Sequence, residues 1–193
     1  MIALAHRLPP QPGLPDPRLV GAVAFLLFLG SIPLAGWMIY HVGTSCIPNG
    51  PCVIPVAPGI EAPSGVLQVG VAIVLRDVVQ RCLGKAWSLA AIALGSAATL
   101  LVAPGDLVVA SGTAFLLSEL ADFAVYTPLQ RNHLLLAVMS SSVVALVVDS
   151  LVFLSLAFGS LEFLPGQVIG KLWAVLIAVP LVRVLRRVAP TPA

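Results

Sequence analysis

HLLLAVMSSSVVALVVDSLVFLSLAF, residues 133–158, carries a single acidic side chain, Asp149, in an otherwise apolar and hydroxyl-bearing run. A hydrocarbon core of about 30 Å is crossed by roughly 20 residues of α-helix, so this stretch is long enough to span a bilayer. It has no polar face to offer water. Working outward, comparable apolar runs cover about 19–40, 65–83, 87–103, 107–126 and 166–187, separated by Pro and Gly breaks such as Ala103-Pro104-Gly105-Asp106 and Pro165-Gly166. The 193 residues are 59% hydrophobic and 9% charged, with a mean hydropathy of +1.06. A soluble domain is about a quarter charged. A chain this apolar cannot cover itself with polar groups, which excludes an ordinary cytosolic enzyme, a nucleic-acid-binding domain and a disordered protein. The expected fold is an all-α polytopic membrane protein, with six transmembrane helices over 19–187. A disordered, proline-rich tail (1–18) precedes them and a short tail (188–193) follows.

Charge distribution sets the orientation. Eight of the ten basic residues lie in the first tail or at alternate helix ends: Arg7, Arg18, Arg81, Lys85, Arg131, Arg183, Arg186 and Arg187. The intervening loops, 41–64, 103–107 and 159–165, hold no Lys or Arg, only Glu61, Asp106 and Glu162. The positive-inside rule then makes both termini cytoplasmic and the protein multi-pass in the cytoplasmic (inner) membrane. Trp37, Tyr40, Trp87, Tyr126 and Trp173 fall near helix ends, where interfacial anchors belong. A secretory signal is the weaker reading of residues 1–45, because the apolar run is long for one and no clear cleavage site follows. Cys46 and Cys52 share the longest outside loop, where they either close a small disulfide ring or remain two thiols. Two cysteines do not make a structural zinc site, so no metal is expected, and no cofactor either. Cys82 is expected to be inert on the cytoplasmic side.

The charges that remain lie inside spans: Arg76 and Asp77 in the second, Glu119 and Asp122 in the fourth, Asp149 in the fifth and Lys171 in the sixth. Each costs roughly 2.5–3.5 kcal/mol near the centre of an inserted helix, so all six must face protein or a wet cavity. Spacing groups them with other polar residues. Glu119, Asp122 and Tyr126 recur at i, i+3 and i+7 on one face. Asp77 and Gln80 are i, i+3, and Arg76 reaches Gln80 at i+4. Ser142 and Asp149 share a face, with Phe153 a turn further on, and Gln167 and Lys171 are i, i+4. Four helices thus present polar stripes that can converge on one cavity. Four acids against two bases leave a formal excess of two negative charges, so the cluster either retains protons or holds a cation. A donor-rich or cationic substrate complements it. The plainer alternative is that Arg76 and Lys171 neutralise two acids while Asp122 is simply hydrated near the headgroups.

Span 3 is rich in small residues (Ala90, Ala91, Ala93, Gly95, Ser96, Ala97, Ala98), as a helix-packing surface is. Gly84-Lys85-Ala86-Trp87 and Gly170-Lys171-Leu172-Trp173 echo one another at the openings of spans 3 and 6. A three-plus-three inverted repeat would leave such a trace.

Several segments resemble the queuosine-precursor transporter family, also called the VUT family. They are Arg76-Asp77-Val78-Val79-Gln80 with Leu83-Gly84-Lys85; Ser118-Glu119-Leu120-Ala121-Asp122-Phe123-Ala124-Val125-Tyr126-Thr127-Pro128-Leu129; Val148-Asp149-Ser150 with Phe153 and Ala157-Phe158; and Gly166-Gln167-Val168-Ile169-Gly170-Lys171. They occur in the family's order over roughly 63–182. Two places depart from the pattern: many members end the second conserved helix in a more acidic segment, and Gln130 precedes Arg131 where Arg commonly follows Pro-Leu directly. The resemblance implies import of a 7-deazaguanine such as preQ0 or preQ1, or a similar nucleobase-like compound, and the protonatable carboxyls of the buried cluster would let that import be coupled to a proton gradient. It implies a small-molecule partner in a lipid bilayer, no nucleic acid, and an assembly for which a homodimer is compatible. Under that reading Glu119 or Asp122 reads an N–H edge, Gln80 or Gln167 meets a carbonyl, Tyr126 or Phe153 stacks on the ring, and Arg76 and Lys171 hold the acids in place.

The alternative is a substrate-capture subunit of an energy-coupling-factor vitamin importer, which borrows its ATPase; no GxxxxGK[ST] loop occurs in this chain. An enzyme is not expected. Ser118 beside Glu119 hints at a nucleophile, but the three His (His6, His41, His133) lie outside the span interiors and no HExxH or GxSxG motif occurs.

Overall fold

A computed structural model describes residues 15–48, 50–102, 105 and 107–188, with backbone alone at 102, 178–179 and 181–188. Most of the expected first tail, the expected tail 189–193, and Ala103, Pro104 and Asp106 of the third break lie outside the described residues. Among those described, six helices run α1 Pro17–His41, α2 Val66–Leu83, α3 Lys85–Val102, α4 Val108–Leu129, α5 Leu134–Phe158 and α6 Leu164–Val188. Their limits fall within about three residues of the apolar runs. Helices α1, α4 and α5 are each long and apolar enough to cross a membrane, and the described side chains of α3 (Lys85–Leu101) and α6 (Leu164–Ile177) are apolar over shorter stretches. The protein is a helical, membrane-embedded one.

Local chemistry sets several boundaries. Asp16 caps α1 by accepting from the Arg18 amide at 2.8 Å, and Pro17 opens the helix where a missing N–H costs nothing. Gly84, at φ 95°, ends α2 in a conformation that favours glycine and sends the chain straight into α3. The connections between successive helices from α2 onward are short, so these helices alternate in direction. Arg18, Arg81, Lys85 and Arg131 therefore gather at one end of the bundle, and the chain segments 42–65 and 159–163 at the other.

Helix α2 is the centre, packing against every other helix. That position explains its composition: Arg76, Asp77, Gln80 and Arg81 are all buried there, among Ile73, Val74, Val78 and Val79. Gly70 is what lets α6 approach, since a β-carbon there would sit 2.6 Å from Ala174 Cβ and 2.8 Å from the Lys171 carbonyl. Small clusters fill the rest, such as Phe28, Ala72 and Ala91 between α1, α2 and α3, and Ile73, Ala145 and Leu146 between α2 and α5.

The fold departs from all-α at one place. The loop between α1 and α2 is a three-stranded antiparallel sheet, β1 Ser45–Cys46, β2 Cys52–Ala57 and β3 Ile60–Pro63. Pro55 and Pro58 obscure a strand signal that Val53, Ile54 and Val56 otherwise carry. Cys46 pairs with Cys52 in the β1–β2 register, and their sulfurs are bonded. The sheet is tied to the bundle: Ser64 Oγ donates to the Met38 carbonyl at 2.7 Å, and Trp173 Nε1 to the Val56 carbonyl at 3.1 Å.

Other expectations are adjusted. Trp37 and Trp87 are exposed near helix ends as anchors should be, whereas Trp173 is exposed well inside α6 and Tyr126 is fully buried. Span 3 packs only through part of its small residues: Ala91 and Gly95 are buried, while Ala93 and Ala97 face outward. The Gly-Lys-x-Trp echo does not place equivalent residues, since Lys85 is exposed at the first position of α3 and Lys171 is buried inside α6.

Candidate functional site

The polar stripes meet in two centres rather than one. The deeper centre is built on Arg76 of α2. Its Nε donates to Glu119 Oε2 at 3.2 Å and its Nη1 to Gln80 Oε1 at 3.0 Å, while Nη2 lies 3.0 Å from Asp77 Oδ1 and is ion-paired with Asp122. The guanidinium also lies 5.5 Å from the centroid of the Tyr126 ring, whose hydroxyl donates to the Asp77 carbonyl at 3.3 Å. All of these side chains are at most 2% exposed. The i, i+3, i+7 spacing of Glu119, Asp122 and Tyr126 thus brings all three against one arginine. Asp122 is not hydrated at a headgroup; it is fully buried, because the face it shares with Glu119 and Tyr126 packs against α2. One positive charge faces three carboxyl groups, and Asp77 Oδ2 and Asp122 Oδ1 have no hydrogen-bond partner among the described residues. The excess of two formal negative charges among the six charges inside spans is localised here.

Two further contacts stitch α2 to the C-terminal end of α4 on the same side. Gln80 Nε2 donates to Thr127 Oγ1 at 3.0 Å, and Arg81 Nη1 to the Gln130 carbonyl at 3.1 Å. Together with the Arg76 network they close the bundle toward its basic end.

The second centre is Lys171 of α6. Its Nζ donates to Asp149 Oδ2 at 2.6 Å, Ser150 Oγ at 2.8 Å and Gln167 Oε1 at 2.5 Å. An ammonium has three protons, so this one is saturated. Here the charges balance one to one.

Between the centres lies a cavity of about 130 Å³. Glu119, Asp149, Phe153, Gln167 and Lys171 line it, whereas Arg76, Asp77, Gln80, Asp122, Tyr126 and Ser142 do not. Glu119 is common to both: Oε2 is held by Arg76, and its carboxyl borders the cavity. Ser142 is buried on α5 with a hydroxyl that has no partner among the described residues. The sheet-side halves of the helices supply the remaining walls, with Ile39 and Ala35 of α1, Gln68 of α2 and Phe115 of α4, and Pro63 of β3 at the mouth. Sequence reasoning missed α1 and Gln68. The signal for Gln68 was present, as it is i−8 from Arg76 on the same face of α2. For α1, Ser31 alone marks the inner face.

Three of the hydroxyls around the cavity are oriented. Ser31 donates to Phe28 O at 2.6 Å, Thr99 to Gly95 O at 2.9 Å and Ser118 to Phe115 O at 3.0 Å, each on its own helix. Their lone pairs are what remain for a ligand. With the Glu119 and Asp149 carboxyls added, a mainly apolar lining carries a few acceptors and is flanked by two aromatic rings, Phe115 and Phe153. Ser118, whose proton goes to its own helix, has no His beside it among the described residues.

Residues 99–193 match the model of a family described as putative vitamin uptake transporter. The match takes in Glu119, Asp122, Asp149, Gln167 and Lys171, and leaves out α1 and the Arg76 segment. No curated protein and no solved structure matches the chain.

Proposed function

We propose, from the premise that the chain belongs to the putative vitamin uptake transporter family, that it imports a queuosine precursor of the 7-deazaguanine type. In this reading all six helices cross the cytoplasmic membrane with both termini inside. The basic end of the bundle is then cytoplasmic and the disulfide-closed sheet is external. The cavity lies in the outer half and the Arg76 network closes the inner half, an arrangement suited to a carrier loaded from outside. For cargo to pass inward, the α2–α4 contacts of Arg76 with Asp122, Gln80 with Thr127 and Arg81 with Gln130 have to part.

The observation that carries the substrate class is the pair of carboxyls, Glu119 and Asp149, set in a mainly apolar lining. Glu119 and Asp149 offer carboxylates to ring N–H groups, and an aminomethyl arm adds a cation that complements them. Phe115 and Phe153 offer π-faces. A cavity of about 150 Å³ holds benzene, so a bicyclic base requires this one to widen as it binds. The surplus charge on the Arg76 network supports proton coupling: three carboxyl groups around one guanidinium in a water-poor interior do not all stay ionised.

Uptake of radiolabelled preQ0, preQ1 and queuine into cells that cannot make the precursor, with and without a proton uncoupler, tests this reading. Saturable uptake of preQ0 or preQ1 that the uncoupler abolishes is the expected result. A vitamin or unrelated nucleobase that outcompetes all three compounds overturns it. An energy-coupling-factor subunit is distinguished by co-purification with an ATPase module.

A further inference from the structure

We infer that Lys171 fixes the hydrogen-bond polarity of the cavity, so that Asp149 and Gln167 together read a lactam edge, an N–H beside a C=O, on the ligand. This rests on the reading of the cavity as a heterocycle site and adds how one edge is discriminated from another.

The argument begins with proton counting. Lys171 Nζ has only protons to give, and its three partners must all present lone pairs. Ser150 does, because its own proton is committed to the Leu146 carbonyl at 2.6 Å. Gln167 does only if its amide oxygen, not its NH₂, faces the ammonium. The reversed amide would set donor against donor, so the charge of Lys171 determines which end of Gln167 points away. Gln167 is 4% exposed, borders the cavity, and its Nε2 has no hydrogen-bond partner among the described residues. It is therefore a donor pair waiting for an acceptor.

Asp149 is oriented by the same ammonium. Oδ2 is taken by Lys171, and Oδ1 has no hydrogen-bond partner among the described residues, while the carboxyl borders the same cavity. The free ends of Asp149 and Gln167 are thus one acceptor and one donor, hung from a single nitrogen. A lactam edge satisfies both. In the same orientation an amidine edge of the adenine kind, with an amino donor where the carbonyl would be and a bare ring nitrogen beside it, satisfies neither, and to satisfy both it has to be turned over, which carries its five-membered ring to the opposite side of the pair. Lys171 touches no ligand in this account; it is a positioning residue, and Gln167 and Asp149 do the reading. Sites that leave a buried polar group unpaired reject the mismatched compound strongly, whereas apolar pockets do not.

Displacement of a labelled 7-deazaguanine-type precursor from purified protein by unlabelled 7-deazaguanine and 7-deazaadenine tests the inference. The native chain is expected to prefer 7-deazaguanine by on the order of 100-fold. Gln167→Met should erase most of that preference and Gln167→Glu should abolish or invert it, in each case with monodisperse, folded protein. Lys171→Met should lower the preference ratio, and adding it to Gln167→Met should lower the ratio by less than it does alone, since only its hold on Asp149 is then left to lose. Folded Gln167 variants that keep the native ratio overturn the inference. So does a native chain that binds both compounds equally, which leaves the proposed substrate class standing. A native chain that binds neither overturns both.

Discussion

Replacing Arg76 with methionine removes the one positive charge that faces Asp77, Glu119 and Asp122 while keeping much of the side-chain volume. All four groups are at most 2% exposed, so solvent cannot take over the role. Deleting one partner of a buried ion pair costs about 3–5 kcal/mol, because the partner is left as an uncompensated buried charge. Here three partners are left, and Gln80 also loses its donor. The cost is held near that range because a proton can settle on each carboxyl. At roughly 2–4 °C per kcal/mol for a chain of this size, the expected fall in Tm is roughly 6–20 °C. Lys171→Met should cost less: it strands a single acid, and the Asp149 side chain is 12% exposed, enough to draw a proton or water from the cavity. Adding Asp122→Asn to the Arg76 variant should restore part of the loss, since it removes one of the stranded charges. Thermal unfolding of detergent-purified protein, followed by the fluorescence of Trp37, Trp87 and Trp173, reads all of these. A shift below about 2 °C for Arg76→Met, or a larger one for Lys171→Met, would refute the reasoning.

Three further predictions follow the same geometry. Asp77→Asn removes one proton-accepting group from the Arg76 network without touching the cavity lining. It should leave substrate exchange intact in proteoliposomes while weakening the rise in accumulation that external acidification gives the native chain; a variant whose response to the pH gradient equals the native one contradicts it. Alkylation of the unfolded protein should label Cys82 alone before reduction and all three cysteines after it, whereas three labels without a reductant would show the Cys46–Cys52 bond to be absent. Single cysteines placed at Ser160 and Asn132, both exposed in connections at opposite ends of the bundle, should react with an impermeant reagent from the outside and from the cytoplasm respectively. Reaction of both from one side would contradict the proposed topology.

Helix number and limits were legible because apolar length is a strong local signal, and the alternation of basic and base-free connections followed from counting charges. The sheet was not legible: prolines broke the alternation of β2, and its pairing depends on contacts with α1 and α6 that no local window contains. Helical spacing foretold that Glu119, Asp122 and Tyr126 share a face and that Gln167 and Lys171 meet. It did not foretell that the stripes divide. Which stripe faces which depends on the crossing of α2 with α4 and α6, and Gly70 governs the latter approach through the absence of a side chain. Tyr126 shows the limit well. Its position near a helix end reads equally as an interfacial anchor or a ring-stacking residue, and only packing makes it the floor beneath Arg76.

The central claim is that the cavity between Arg76 and Lys171 is where substrate is held, by the carboxyls of Glu119 and Asp149. Its most direct test is precursor uptake by Glu119→Gln and Asp149→Asn, expressed in cells unable to make the precursor. Each substitution keeps the side chain's shape, removes its charge and puts an NH2 donor in place of one acceptor oxygen. Compared at equal amounts of folded protein in the membrane, each variant should lose uptake by at least about tenfold, the equivalent of one charge-assisted hydrogen bond of roughly 1.5–3 kcal/mol. Native uptake by both variants would contradict the account.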